Sequence, residues 1–231
     1  MPKETIVIDF GGSILSPEPC QLNLRILRGF KKILAKNSSK FKFIVVVGGG
    51  KICRMYQREA RKGGVTNKHL LDWIGIRSTQ LNAELMRAYL GKMAFPRVMH
   101  YENQEINWQK GILVSGGWQP GGSTDYITAS LAAKYGAKRI AVATNIDFIY
   151  NKDPQKYPGA KKQLKLTWPE FKKIIGTKWI PGMSTPFDSK ASRICVKHGI
   201  SVVFANGEKL ANLEKAIQGK PFVGTTISEY T

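Results

Sequence analysis

Short apolar runs alternate with helical stretches along the whole chain. Two of the runs, Ile44–Val47 and Ile140–Ala143, are apolar at every position, which is typical of strands covered on both faces of a parallel sheet. The predicted strands are Thr5–Phe10, Phe43–Val47, Gly111–Ser115, Arg139–Thr144 and Ile200–Phe204. The predicted helices are Asn23–Lys36, Lys51–Lys62, Asp72–Leu90, Asp125–Tyr135, Trp168–Ile175, Ser189–His198 and Leu210–Gln218. This order predicts an α/β fold, a three-layer α/β/α sandwich with a mostly parallel central sheet.

The length of 231 residues fits one α/β domain over residues 1–231, which can have two lobes. No repeat, low-complexity tract or linker divides it. The segment Asn151–Lys165 is polar and rich in proline and lysine, so it is predicted to be a long surface connection. No apolar run approaches the roughly 20 residues of a membrane span. An acidic residue follows the start too soon for a signal peptide, so the first strand is expected to belong to the mature fold.

The composition gives the chain a strong positive charge. The net charge is +20, whereas the 42% hydrophobic and 23% charged residues are ordinary for a globular protein. Lysine and arginine attract nucleic-acid phosphates, but here they are spread along the chain without a common nucleic-acid motif. We therefore expect only non-specific nucleic-acid binding. The three cysteines lack metal-ligand spacing and suggest reduced thiols in a cytoplasmic protein.

Glycines cluster directly after three of the predicted strands. The three loops begin at Gly11-Gly12-Ser13, at Gly48-Gly49-Gly50-Lys51 and at Gly116-Gly117. Glycine allows backbone amides to approach an anion closely, and a following helix N-terminus adds positive potential. One such loop could equally be a tight strand–helix turn. Three in one short chain indicate phosphoryl transfer between two phosphate-bearing molecules, although the spacing is neither a Walker loop nor a dinucleotide fingerprint.

A fourth candidate segment, Thr144–Pro154, follows a buried strand. It contains an amide, two carboxylates and a tyrosine, which suit a purine, a ribose and metal-bound phosphates. Taken alone, it can also be a capped turn that ends at Asp153-Pro154.

These motifs together resemble the amino-acid-kinase family in order and spacing over nearly the whole chain. The matching segments are Gly11-Gly12-Ser13, Val47–Lys51, Ser123-Thr124-Asp125, Thr144–Asp147, Tyr150 and Asp153-Pro154. Within the family the chain is most similar to the archaeal uridylate kinase branch. The features of that branch are Asp9 in place of a lysine before the first glycine loop, Gly48–Tyr56, Asp72–Ile76 with Asn82-Ala83, and Gly224–Ile227.

The resemblance implies in-line transfer of the γ-phosphoryl group of ATP to UMP, without a covalent intermediate, in pyrimidine nucleotide biosynthesis. It places UMP on the lobe of residues 1–135 and ATP on the lobe of residues 136–231, with Mg²⁺ carried by the ATP phosphates rather than by protein side chains. The family's habit implies a hexamer built from dimers. The residues implied for ATP are Gly12, Ser13, Gly50, Arg54, Thr144, Asn145, Tyr150 and Asp153. The residues implied for UMP are Gly49, Asp72, Trp118, Gln119, Pro120, Gly121, Gly122, Ser123 and Thr124.

The resemblance implies two catalytic residues, Asp125 and Arg193. Asp125 matches the family aspartate that orients the catalytic cations, and Asp72 is expected on the ribose hydroxyls of UMP. Each could instead be a residue at a helix start. Arg193 replaces the family lysine near the C-terminus, with Lys190 as a possible substitute, and arginine changes the geometry. Trp118 and Gly122 depart from the family's threonine and histidine, which leaves base selectivity open.

Other members of the family fit less well. Isopentenyl phosphate kinases place a histidine after the second glycine loop, where this chain has Lys51–Arg54. Acetylglutamate kinases lack the Asp72 motif, and glutamate 5-kinases and aspartokinases are longer. A non-catalytic nucleotide-binding relative also remains open. The histidines lie outside the glycine loops, which fits a phosphate acceptor that needs no general base.

Overall fold

The central element is an eight-stranded sheet. The computed structural model describes residues 3–19, 21–101, 106, 108, 110–176 and 186–229. The strands in these ranges are β1 (Glu4–Phe10), β2 (Phe41–Val47), β3 (Ala94–Met99), β4 (Ile112–Ser115), β5 (Arg139–Thr144), β6 (Ile149–Tyr150), β7 (Lys162–Gln163), β8 (Lys165–Thr167), β9 (Ser201–Asn206) and β10 (Thr225–Ser228). Their order in the sheet is β3-β4-β2-β1-β5-β9-β10-β8. The first six strands in this order run parallel, whereas β10 is antiparallel to β9 and parallel to β8. The prediction of a mostly parallel sheet is confirmed.

Helices cover both faces of this sheet. They are α1 (Gly12–Leu15), α2 (Leu24–Asn37), α3 (Gly50–Lys62), α4 (Lys68–Leu90), α5 (Thr124–Lys134), α6 (Trp168–Ile175), α7 (Ser189–His198) and α8 (Leu210–Ile217). Helices α2, α4 and α8 pack on one face, with Ile6, Ile8 and Phe10 of β1. Helices α5, α6 and α7 pack on the other, with Val7 of β1. The alternation of β1 side chains between two cores produces the expected three layers.

The strands that the sequence did not reveal are short or lie at a sheet edge. Strand β3 contains Pro96 and forms one edge, where a missing backbone donor is tolerated. Strand β8 has three residues and forms the other edge. Strand β10 has four residues, too few for a clear pattern. Strands β6 and β7 form a separate antiparallel pair, so the predicted connection Asn151–Lys165 is mostly exposed but contains β7 and the start of β8.

Helix α4 begins one turn earlier than predicted. Its N-cap is Asn67, whose side chain accepts hydrogen bonds from the backbone amides of His69 and Leu70. The prediction that the helix begins at Asp72 is therefore wrong. Because a cap satisfies the free amides of the first turn, this role belongs to Asn67 and not to Asp72.

Candidate functional site

A cleft of about 720 Å³ opens where the glycine loops and helices α3 and α4 meet. Strands β1, β2, β4 and β5 are parallel neighbours, so the loops that follow them emerge at one edge of the sheet, where open α/β sheets bind ligands. The residues that line the cleft are Ser13, Gly49, Gly50, Cys53, Arg54, Gln57, Arg61, Asp72, Gly75, Ile76, Thr79, Gly117, Gln119, Pro120, Gly122, Ser123, Thr124, Asp125, Asn145 and Asp188. The structure thus brings residues assigned to UMP and residues assigned to ATP to one cavity.

The first two glycine loops touch backbone to backbone. A Cβ atom at Gly12 would lie 2.2 Å from the nitrogen of Gly50 and 2.4 Å from the carbonyl oxygen of Gly48. Gly50 also has a φ of +66°, a conformation that glycine adopts at little cost. No side chain fits between the loops, so their backbone amides stay at the mouth of the cleft.

Helix α4 fixes two of the three glycine loops with buried side chains. The Asn82 amide donates to the carbonyl oxygens of Gly48, at 2.8 Å, and Gly49, at 3.2 Å. The Thr79 hydroxyl accepts from the Gly117 amide at 2.6 Å, and the Gln80 amide donates to the Gly117 carbonyl at 2.9 Å. Since buried hydrogen bonds of this kind hold a loop in one conformation, α4 is the frame of the cleft.

Asp72 joins α4 to the third loop. Its Oδ2 atom accepts a hydrogen bond from the Gly121 amide at 3.2 Å, and the side chain lines the cleft. This carboxylate is half-buried. It therefore has a position suited to a substrate hydroxyl and a second role in holding the loop that continues to Asp125.

Asp125 lines the cleft and belongs to a network of carboxyl groups. The N-cap of α5 is Ser123, whose hydroxyl accepts from the Tyr126 amide, so Asp125 is not the cap. The backbone amide of Asp188 donates to Asp125 at 2.9 Å. The side chain of Asp188 in turn accepts from the Ser123 hydroxyl, so the starts of α5 and α7 are tied together.

A third carboxyl group, Asp9, completes this network from strand β1. The Thr128 hydroxyl donates to Asp9 at 3.2 Å, and Asp9 also hydrogen bonds to Asp125. Burial raises the pKa of Asp9 to about 6, against the lowering effect of the hydrogen bonds with Asp125 and Thr128, and the charge of Asp188 raises it further. Burial, followed by the charges of Asp9 and Asp188, holds the pKa of Asp125 well above its ordinary value. Adjacent buried carboxyl groups resist joint ionisation, so the network retains a proton more readily than isolated aspartates do.

Basic side chains face the same region. The Arg54 guanidinium donates to the Ser13 hydroxyl at 3.0 Å, which joins the first two loops, and Arg61 lines the cleft two helical turns further along α3. Lys190, in the first turn of α7, donates to the Gly121 carbonyl at 2.6 Å. Arg58, by contrast, pairs with Glu59 at 3.0 Å. Fixed positive charge beside three glycine loops suits phosphate groups.

The predicted site residues divide into two groups. Those that line the cleft are Ser13, Gly49, Gly50, Arg54, Asp72, Gln119, Pro120, Gly122, Ser123, Thr124, Asp125 and Asn145. Gly12 and Gly121 contact this group through the backbone. Those whose side chains do not line it are Thr144, Tyr150, Asp153, Trp118 and Arg193.

Trp118 and Arg193, both in the second group, have side chains that lie elsewhere. Trp118 is buried in the core, and its indole N–H donates to the Ser115 hydroxyl at 3.0 Å, which leaves only its backbone for the loop's surface. Arg193 lines another cavity, of about 430 Å³ between α6 and α7. Neither side chain faces the cleft, and the catalytic role of Arg193 stays a prediction.

Several cleft residues were missed as site residues. Gln57 and Arg61 lie three and seven positions after Arg54, so helical spacing places them on the same face. Thr79 lies seven positions after Asp72 and shares its face for the same reason. Asp188 has only a local signal, that of an N-cap before α7. Its contact with Asp125 depends on tertiary structure.

Within the described ranges, no group of three or more His, Cys, Asp or Glu side chains is arranged to hold a metal ion. No helix in this part of the chain is both long enough and apolar enough to cross a membrane.

Comparison with known proteins agrees with this geometry. The uridylate kinase of Methanoculleus marisnigri is 37% identical over 227 residues, which cover 97% of this chain and 95% of that protein. The uridylate kinase of Pyrococcus abyssi is 36% identical over 225 residues, with 96% and 98% coverage. Among solved structures, the uridylate kinase of Archaeoglobus fulgidus superimposes with a TM-score of 0.82 at 31% identity, over 96% of this chain and 99% of that one.

The UMP kinase of Bacillus anthracis has the same fold, with a TM-score of 0.80 at 21% identity over 100% of this chain and 98% of that one. The sequence model of the amino acid kinase family matches residues 4–206, which include every glycine loop and the carboxyl network. The chain therefore belongs to the amino acid kinase family.

Proposed function

We propose that the protein is a UMP kinase, which transfers the γ-phosphoryl group of ATP to UMP and releases UDP and ADP. The observation that carries this proposal is the single cleft in which Asp72, Asp125 and three glycine loops converge. A cavity of about 720 Å³ is within the range of small-molecule sites. The relatives at 36–37% identity are uridylate kinases, and the alignments cover nearly their whole length. This similarity supports UMP as the acceptor.

The two substrates are assigned to opposite ends of the cleft. UMP is assigned to Gly49, Asp72 and residues 118–124, with the Asp72 carboxylate on the ribose hydroxyls. ATP is assigned to Gly12, Ser13, Gly50 and Arg54 for its phosphates, and to Thr144, Asn145, Tyr150 and Asp153 for the nucleoside. Under this assignment the backbone amides of the first two glycine loops lie between the two nucleotides, where the phosphoryl group moves.

The chain's contribution to the reaction is alignment and charge neutralisation. The phosphate of UMP is already ionised near neutral pH, so the acceptor needs no strong general base. Glycine-loop amides and Arg54 stabilise charge on the phosphoryl oxygens as it develops. Asp125 orients the cationic groups around the phosphates. Helix α4 holds the glycine loops in one conformation and so keeps the reacting groups in line. No covalent intermediate is part of this mechanism.

Mg²⁺ is proposed to enter as part of the MgATP substrate. The ion prefers oxygen ligands and usually retains water, so it can stay on the ATP phosphates. When bound, the ion neutralises charge on the ATP phosphates. Asp125 and Asp188, which line the cleft, would hold the hydrated MgATP complex through their carboxylate oxygens.

The remaining parts of the proposal concern context. We propose a role in pyrimidine nucleotide biosynthesis, a cytoplasmic location where both nucleotides occur, and a hexamer built from dimers. The division into an acceptor lobe at about 1–135 and a donor lobe at about 136–231 also belongs to the proposal. Nucleic-acid binding is expected to be non-specific only.

A coupled ADP-release assay tests the activity. The acceptors are UMP, CMP, dTMP, acetylglutamate and isopentenyl phosphate, each with MgATP, and we expect UMP to have the largest kcat/KM. An Asp125→Asn variant purified in parallel controls for contaminating kinases. Faster turnover of acetylglutamate or isopentenyl phosphate would assign the chain to another activity of the family. Nucleotide binding without turnover of any acceptor would instead indicate a non-catalytic relative.

A further inference from the structure

The middle of the acceptor loop, residues 118–124, is held at Gly121 from two sides. The Gly121 amide donates to Asp72 of helix α4 at 3.2 Å. The Gly121 carbonyl accepts from Lys190 of helix α7 at 2.6 Å. One glycine therefore connects the helix that frames the cleft with a helix from the C-terminal half of the chain.

The backbone conformation explains why these two contacts matter. Gly121 has a φ of +82°, and no atom lies within 4 Å of the position that a Cβ would occupy. Side-chain packing therefore does not fix this point of the loop, and glycine is the residue that changes backbone conformation most freely. Hydrogen bonds at the amide and the carbonyl supply the restraint that packing does not.

The two ends of the loop are anchored differently. At its start, the Trp118 indole donates to the buried Ser115 hydroxyl. At its end, Ser123 caps α5 and donates to Asp188. Gly121 lies between these anchors and next to Gly122, which lines the cleft. A shift at Gly121 would thus move the cleft-lining residues on either side of it.

We propose that Lys190 is a positioning residue for the acceptor. It acts on UMP through the Gly121 carbonyl, together with Asp72 on the amide, and we call this arrangement the Gly121 clamp. The inference rests on the proposed function, because the loop is the one assigned to UMP. Lys190 and Arg193 therefore have different roles, since Lys190 contacts the acceptor loop whereas Arg193 lies at another cavity.

The test is a comparison of Lys190→Met, Lys190→Arg and Lys197→Met by steady-state kinetics. Methionine retains the aliphatic volume but has no donor, so we expect the KM for UMP to rise on the order of 10-fold, because the lost hydrogen bond has a charged donor. The KM for ATP and kcat should change less than about 3-fold if only acceptor binding depends on the loop.

Arginine retains a charged donor, so Lys190→Arg should restore most of the affinity for UMP. Lys197 is exposed in the last turn of the same helix, so Lys197→Met is the matched control and should match the wild type.

A double-mutant cycle adds a readout that a loss of stability would not produce. If Asp72 and Lys190 restrain the same glycine, the increases in KM for UMP in Asp72→Asn and Lys190→Met should not multiply in the double variant. An unchanged KM for UMP in a folded Lys190→Met protein would overturn the clamp. A fall in kcat with unchanged KM would also overturn it, because Lys190 would then act on the transferred phosphoryl group.

If Lys190→Met does not fold, Lys190→Leu, which also lacks a donor, replaces it. UMP binding is then measured by calorimetry, with the same expectation of weaker binding. Wild-type protein without UMP kinase activity would refute the proposed function itself. Active wild-type protein with unaltered Lys190 variants would refute only the clamp.

Discussion

The residues assigned to UMP and those assigned to the ATP nucleoside are held in different ways. On the acceptor side, Asp72 and the loop of residues 118–124 are connected by hydrogen bonds to α4 and α7. On the donor side, Asp153 is exposed and Tyr150 belongs to the short β6–β7 pair, and neither lines the cleft. The acceptor side is therefore built into the rigid frame of the domain. Tyr150 and Asp153 instead belong to a surface segment, where single contacts contribute less binding energy. Substitutions should accordingly have larger effects at the acceptor side than at the donor side.

The largest effect is expected at Asp125, which lines the cleft. Asp125→Asn should lower kcat by roughly 100-fold or more, because the variant loses the charge that we propose orients the cations around the transferred group. The melting temperature should change little, since Ser123 and not Asp125 caps α5. Parallel measurement of kcat and melting temperature checks this. A drop in melting temperature with an unchanged kcat would instead make Asp125 a structural residue.

Asp72 should show the next largest effect. Asp72→Ala removes both the proposed ribose contact and one half of the Gly121 clamp, so the KM for UMP should rise about 10- to 100-fold. The KM for ATP should stay nearly constant because the donor is assigned to other residues, at the opposite end of the cleft. Acceptors without a 2′-hydroxyl should lose less affinity than UMP does.

The outcome at Asp72 can be separated from a stability effect. The rival explanation, in which Asp72 starts the helix, is already weakened because Asn67 is the cap. An unchanged KM for UMP in folded Asp72→Ala protein would remove this residue from the acceptor side.

The sequence located the loops that line the cleft because their motifs are local. Each glycine loop follows an apolar strand directly, and parallel strands bring such loops to one edge. It could not predict the contacts between distant segments. Asp188 is 63 positions from Asp125, and no local pattern indicates that pairing.

Trp118 illustrates a second limit of sequence reasoning. It follows two glycines in a loop, which suggests exposure, but its indole N–H has a buried partner in Ser115, and this permits full burial of the ring. Strand β3 escaped prediction for a related reason, since Pro96 and exposed edge residues hide the apolar pattern. In both cases, tertiary contacts override the local signal.

The buried carboxyl network beneath the acceptor side should make stability depend on pH. The pKa of Asp9 is raised from 3.8 to about 6 in the folded state, chiefly by burial. The folded state therefore holds a proton that the unfolded chain releases, and this stabilisation is complete below about pH 4 and disappears as the pH rises past 6. Between pH 5 and pH 8 the wild type should lose stability through this group, on the order of 1 kcal/mol.

Asp9→Asn removes that titration. The free energy of unfolding of the variant, minus that of the wild type, should therefore be larger at pH 8 than at pH 5. The groups that face the substituted side chain are Asp125, Thr128 and Asp188. Denaturant unfolding at several pH values between 5 and 8 measures the difference. Glu208→Gln, an exposed substitution, serves as the control and should follow the wild-type curve. An Asp9→Asn curve parallel to the wild type would show that Asp9 is ionised throughout.

The smallest effect is expected on the donor side, at Asp153. This carboxylate is exposed, accepts a hydrogen bond from the Gln155 amide at 2.9 Å, and lies 4.0 Å from Lys156. Asp153→Ala should raise the KM for ATP by about 3- to 5-fold, since an exposed polar contact contributes about 1 kcal/mol or less. The KM for UMP should not change.

The alternative is that Asp153 only stabilises its turn through Gln155, as aspartates in turns often do. In that case the melting temperature would fall slightly and both KM values would stay constant. Asp153→Asn distinguishes the two, because asparagine keeps the turn hydrogen bond and loses the charge. A higher KM for ATP in both variants supports contact with the nucleotide, whereas an effect larger than that of Asp72→Ala on UMP would reverse the proposed difference between the two sides.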